Sequence, residues 1–227
     1  MGHRKLKKFA EVATFSNVFE PTQAAGEKVD FPLKGKWNAD YFKNNNPIIL
    51  ELGCGKGEYT IGLAKRFPNK NFIGMDIKGA RLWRGAKIAV EEKMQNVAFV
   101  RNRIDFIESY FGPNEVSEIW IPFPDPYPRK GKTEKRLMSA SFVKRYRNLT
   151  KPGAVIHFKS DNENLYAFAM EQVQEHKYKL LANSADIYND AEKLGEERNE
   201  LLTKIQTYYE STFLKIGKKI HYVEFVI

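Results

Sequence analysis

The sequence predicts a doubly wound α/β domain: a seven-stranded, mostly parallel sheet with an antiparallel last strand. Three observations carry that reading. After Pro47, short apolar runs alternate with longer segments of helical period, the pattern of βαβ units. The first apolar run leads straight into glycines at alternate positions, as a strand feeding a ligand-binding turn does. Finally, the tail carries two apolar runs, 178–184 and 219–227, separated by a charged helical insert over about 191–204. That arrangement suggests an antiparallel closing pair.

The strands expected are Ile48–Leu52, Asn71–Asp76, Val97–Arg101, Glu118–Phe123 and Ala154–Lys159, then the two tail strands. Helices fit between them at Glu58–Phe67, Gly79–Lys93, Asp105–Phe111 and Ser141–Leu149, with Asn164–His176 after the fifth strand. In a doubly wound sheet the ligand crevice lies at the carboxyl ends of the strands. Residues 1–36 mix Arg4, Lys5, Lys7 and Lys8 with isolated aromatics and show no sustained period, so they read as a basic, extended or partly disordered arm. The folded domain is expected over 37–227, beginning near Trp37 with a short helix-like stretch that ends at Asn44-Asn45-Asn46-Pro47.

A chain of 227 residues holds one α/β domain and is too short for two of ordinary size. Hydrophobic residues at 42% are enough for a folded core. No run of about 18 apolar residues occurs, and Met1-Gly2-His3-Arg4-Lys5 lacks a signal peptide's apolar stretch, so a cytoplasmic protein with no membrane partner is expected. A single cysteine, Cys54, rules out an intrachain disulfide, and four scattered histidines leave no zinc spacing, so no metal is expected. Lys and Arg exceed Asp and Glu by 37 to 28, a net +9, which favours a polyanionic partner.

Glu51-Leu52-Gly53-Cys54-Gly55-Lys56-Gly57 forms a G-x-G-x-G turn between a strand and a helix, the setting of a nucleotide-type ligand. A dinucleotide fingerprint would need glycine or alanine where Glu58 stands, and Glu51 would repel a pyrophosphate. Glu51 suits a cationic ligand instead. Asp76, at the end of the second strand, is placed to accept hydrogen bonds from ribose hydroxyls. These residues resemble the class I S-adenosylmethionine methyltransferases, a Rossmann-like fold, over about Ile48–Lys159. The resemblance implies that the third strand end contacts adenine. Asn102 is the first choice there and Asp105 the alternative, with helix capping as its other role.

The fourth strand runs into Phe123-Pro124-Asp125-Pro126-Tyr127-Pro128-Arg129-Lys130. Three prolines around one acid make a stiff loop that orients a side chain at little entropic cost. This motif, with Lys135-Arg136-Leu137, Ile156-His157-Phe158-Lys159-Ser160-Asp161 and Thr207-Tyr208-Tyr209-Glu210, looks like the bacterial tRNA guanine-N7 methyltransferase family, over about Glu51–Glu210. The resemblance implies S-adenosylmethionine as cofactor, held by Glu51, Gly53, Gly55, Asp76, Asn102 and Asp125, with Asp125 also at the reacting guanine. It implies that Arg129, Asp161, Thr207, Tyr208, Tyr209 and Glu210 contact tRNA, and that the target is a variable-loop guanine. Arg129 stands where many members have Lys, which keeps the charge but alters phosphate geometry.

Chemistry agrees with a light apparatus, because guanine N7 carries an in-plane lone pair and no proton, so transfer needs no obligatory base. Methylation at pyrimidine carbon five would demand a cysteine by the base, whereas Cys54 lies in the glycine loop. The run Arg129–Arg136 holds five basic residues beside the transfer loop and reads as a phosphate contact, extended by Lys144, Arg145 and Arg147. Two other readings share this fold: a methyltransferase for another base or a small molecule, and a non-catalytic RNA-binding protein. The sequence is compatible with a monomer or a homodimer.

Overall fold

The computed structural model describes residues 3–20 and 30–227; side chains are described for these except residues 3–5 and 130. Its sheet has eight strands: β1 (Val18–Phe19), β2 (Ile48–Leu52), β3 (Asn71–Met75), β4 (Val97–Val100), β5 (Val116–Pro122), β6 (Thr150–Ser160), β7 (Lys179–Ser184) and β8 (His221–Val226). They lie in the order β1-β4-β3-β2-β5-β6-β8-β7. Strands β1 to β6 pair in parallel, and β8 runs antiparallel to both β6 and β7. The order reverses at β2, between β3 and β5, which puts the crevice at their carboxyl ends.

Every residue of β2, β3 and β4 is buried, as strands covered on both faces require. Alternation assigns their side chains to two cores. Leu50, Leu52, Ile73, Met75, Ile119 and Ile121 face one cluster, together with residues of α4 (Ala140–Leu149) and α5 (Glu163–Glu175). Ile49, Phe72, Phe99 and Trp120 face the other, against α2 (Glu58–Arg66) and α3 (Gly79–Glu91). Among the described residues no helix is long and apolar enough to cross a membrane, and no group of three or more His, Cys, Asp and Glu could hold a metal ion.

The expected strands and crossover helices form, except the helix expected at 105–111, with ends displaced by a few residues. The differences lie at the edges. Where an arm without sustained period was expected, α1 (His3–Val12) packs on α3: Glu11 accepts from Trp83 Nε1 at 2.7 Å and pairs with Lys87 at 2.9 Å. Strand β1 then adds an eighth member, pairing Val18 with Phe99 and Phe19 with Val100. Two residues are too few for alternation to be read, whereas α1 is amphipathic along its length, a local period that the reading of an aperiodic arm passed over. Residues 1, 2 and 21–29 of the expected arm lie outside the described residues, as do the side chains of Arg4 and Lys5.

The helix expected at 105–111 is a 3-10 segment, Ile104–Ser109, and the stretch after Trp37 is a π-helical turn, Trp37–Phe42. The insert breaks at Gly195 into α6 (Ala191–Leu194) and α7 (Glu196–Lys204). A further helix, α8 (Tyr208–Lys215), stands where the sequence showed only the motif Thr207–Glu210.

Glu115 fastens the segment ahead of the domain to the sheet. Its carboxylate accepts the backbone N–H groups of Gly35 at 2.8 Å, Trp37 at 2.9 Å and Gly112 at 2.8 Å. Trp37, fully buried, stacks on Phe111 at 5.8 Å and meets Phe19 edge-on at 5.1 Å. Glu115→Ala strands three donors at once and is expected to lower unfolding stability by about 1–3 kcal/mol, read by urea titration. An unchanged midpoint would show that the carboxylate carries no such weight.

Candidate active site

The carboxyl ends of β2 to β5 open on one cavity of about 360 Å³, within the size range of small-molecule sites. Its floor is the turn after β2. Gly53 N–H and Cys54 N–H donate to the Met75 carbonyl at 2.8 and 3.1 Å, tying the turn to β3. Gly53 has φ of 73°, and a Cβ there would meet no atom within 4 Å, so the turn presents bare backbone to open space. Gly57 serves packing instead: at φ of 72°, a Cβ would come within 2.8 Å of the Phe99 ring and 3.2 Å of the Gly85 Cα.

Two carboxylates stand at this floor. Glu51, 4% exposed, accepts from the backbone N–H of Thr60 at 2.7 Å and from the Thr60 hydroxyl. Burial pushes its pKa up to about 8, against the Thr60 hydrogen bonds. Asp76 takes the Gly55 N–H at 2.8 Å on one oxygen and the Lys78 N–H at 2.7 Å on the other. It thus fixes the glycine turn and starts α3, and each oxygen keeps a lone pair for a ligand. Asn102 and Asp105 both line the cavity. Asn102 donates to the Tyr110 hydroxyl and accepts from Arg103 N–H at 2.6 Å, while Asp105 pairs with Arg103 at 3.1 Å.

The opposite wall is the loop after β5, which carries Asp125 into the same cavity. Phe123 and Tyr127, neither a glycine, hold left-handed φ values of 52° and 41° at its two ends. Such conformations persist only where the surroundings impose them. Here Phe123 N–H donates to the Lys159 carbonyl at 2.7 Å. The Arg136 guanidinium donates to the carbonyls of Pro126 at 3.1 Å and Tyr127 at 3.3 Å and lies over the Phe168 ring. Arg136, expected as part of a basic run facing phosphate, thus bonds the transfer loop through two of its donors. Asp125 is exposed, and its carboxylate has no hydrogen-bond partner among the described residues.

The remaining expected residues separate into four places. Thr207 and Tyr209 line the cavity with Lys135. Tyr208 turns into an adjoining groove, 58% exposed, with the Lys56 ammonium 3.8 Å above its ring. Glu210 is fully buried, paired with Lys159 at 2.5 Å and bonded to the Tyr188 hydroxyl at 2.9 Å. Asp161 pairs with Lys218 at 2.5 Å, and neither it nor the exposed Arg129 lines the cavity. The side chain of Lys130 lies outside those described.

Lys159 is the residue that sequence reasoning passed over. Its ammonium, 1% exposed, also donates to the Tyr59 hydroxyl at 2.7 Å and the Leu202 carbonyl at 2.6 Å. Burial lowers its pKa to about 8, against the raising influence of Glu210. A lysine closing the run Ile156-His157-Phe158 was the available signal, since a charge so placed on a central strand requires a partner.

Comparison with known proteins places this geometry. A family model described as "Putative methyltransferase" matches residues 45–223. A tRNA (guanine-N(7)-)-methyltransferase of Christiangramia forsetii is 46% identical over 98% of this chain and 97% of its own. One from Bacteroides fragilis is 42% identical over 100% of this chain and 87% of its own, and one from Clostridium novyi 36% identical over 82% and 83%. Solved structures share the fold at lower identity. The 16S rRNA methyltransferase KamB superposes with a TM-score of 0.60 at 13% identity, covering 82% of this chain and 90% of its own. An antibiotic-related methyltransferase gives 0.59 at 15%, covering 88% and 96%. With such identity sustained across nearly the full length of both sequences, the chain belongs to the tRNA (guanine-N7-)-methyltransferase family.

Proposed function

We propose that the protein transfers a methyl group from S-adenosylmethionine to N7 of a variable-loop guanine in tRNA, position 46 in standard tRNA numbering. The observation that carries this reading is the shared cavity: bare glycine backbone and two carboxylates on one wall, an unpartnered carboxylate on the other. The names of the relatives supply the substrate. When bound, S-adenosylmethionine supplies an electrophilic methyl carbon on a sulfonium sulfur and leaves as the thioether as N7 takes the methyl.

The donor set fits that cofactor. Gly53 and Gly55 admit its amino-acid end, Glu51 balances its positive charge, Asp76 receives the ribose hydroxyls, and Asn102 or Asp105 meets adenine. Asp76 at the end of β3 would repel a pyrophosphate, and Glu58 stands where a dinucleotide fingerprint needs glycine or alanine. Asp125 accepts hydrogen bonds from guanine N1–H and the 2-amino group, which turns N7 toward the methyl carbon. Thr207 and Tyr209 hold the RNA at the mouth, and Arg129 and Asp161 lie further out along the strand. Orientation of this kind is worth up to roughly 7–11 kcal/mol of barrier. N7 lies on the edge that A-form RNA buries in a narrow groove, so a loop base is the accessible target.

Asp125→Ala is expected to cut kcat by about a hundredfold or more while leaving tRNA affinity within a few fold, since it removes alignment and not phosphate contacts. The assay is transfer of labelled methyl to unmodified tRNA, with the product nucleoside identified by mass spectrometry. A fully active Asp125→Ala enzyme, or label on any other nucleoside, contradicts the proposal.

A second expectation concerns pH. With its pKa near 8, unliganded Glu51 holds a proton at neutrality, and a cationic ligand favours the carboxylate. Binding therefore releases a proton, and cofactor affinity should rise with pH until about 8, by at most about tenfold per unit. Glu51→Gln should flatten that dependence. Calorimetry in buffers of different ionisation enthalpy reads the released proton, and equal enthalpies in all buffers would remove Glu51 from the account.

A further inference from the structure

A second depression, about 400 Å³ in volume, adjoins the catalytic cavity on the side of α2 and α3. The two share Lys56, Glu58 and Thr207, so the groove continues the mouth of the cavity. It is lined further by Arg84, Tyr208 and Ser211. Its charge is unbalanced toward the positive. Glu58, the one acid in the lining, accepts the Tyr208 backbone N–H at 3.1 Å. Arg84 is exposed and makes no hydrogen bond or ion pair with any described residue. The Lys56 ammonium lies over the face of the Tyr208 ring and makes no hydrogen bond or ion pair among the described residues, and that ring keeps 58% of its surface open.

Two cations that form no ion pair, against one acid, beside an exposed aromatic ring form the chemistry that grips a single nucleic-acid strand, phosphates on the charges and a base on the ring. We propose that this groove holds the RNA strand flanking the reactive guanine, with phosphates at Arg84 and Lys56 and a neighbouring base against Tyr208. The inference rests on the tRNA reading above and extends it to the α2–α3 side of the cavity. The strand would thus cross the cavity mouth with the target base turned inward.

Arg84 is the residue to change, because it is exposed, lies outside the cavity lining and contributes nothing to the core. Arg84→Glu should weaken tRNA binding by about tenfold and reduce the slope of log affinity against log salt by about 1, measured by fluorescence anisotropy. Arg84→Lys should retain most of the affinity, and S-adenosylhomocysteine affinity should be unchanged in both. Lys151→Glu, at the opposite end of β6, controls for net charge and should leave tRNA affinity within about twofold. Equal tRNA affinity and salt slope in wild type and Arg84→Glu would overturn the groove, as would an equal loss in Lys151→Glu. Methyl transfer by the wild type is scored separately, so a failure of the functional reading is distinguishable from a failure of this one.

Discussion

The buried pair of Lys159 and Glu210 is the interaction on which the site depends. Its ammonium reaches the Glu210 carboxylate of α8, the Tyr59 hydroxyl of α2 and the Leu202 carbonyl of α7, while its own carbonyl receives the N–H of Phe123. One residue at the end of β6 therefore fastens both banks of the cavity: the loop that carries Asp125 and the helix that carries Thr207 and Tyr209. Losing either partner would leave a charge buried and uncompensated, a disruption of about 3–5 kcal/mol in other proteins. An apolar pair of equal volume could match it in stability, but would not bind three elements at fixed distances. Glu210, expected at the RNA, is fully buried near the start of α8 and donates its own N–H to the Thr207 hydroxyl at 3.0 Å.

Charges of both signs line the cavity. Glu51 and Asp76 are buried and Asp125 is exposed, with Lys56, Lys78, Arg81, Arg103 and Lys135 among them. The reaction needs no proton removed from N7, which agrees with a reactive centre formed by backbone, carboxylates and a stiff loop. The strain held at Phe123 and Tyr127 serves the same end, since a loop that could relax would let the acid swing away.

Much of this was legible in the sequence because it is local. Strand β2 was read residue for residue, and the glycine turn, Asp76 and the proline-bracketed Asp125 announce themselves by spacing within one βα unit. What escaped reading depends on partners far along the chain. The docking of α1 relies on Trp83 and Lys87, β1 on β4, and α8 on Glu58 and Lys159. The same holds for Arg136: a basic run looks alike whether its members face phosphate or, as here, two carbonyls of the preceding loop.

The most direct measurement is a crystal structure with S-adenosylhomocysteine bound. The account predicts the ribose hydroxyls on Asp76, the amino-acid end against Gly53 and Gly55, and the sulfur facing the Asp125 loop across the cavity. A nucleoside seated elsewhere, or an Asp125 loop turned from the sulfur, would contradict it.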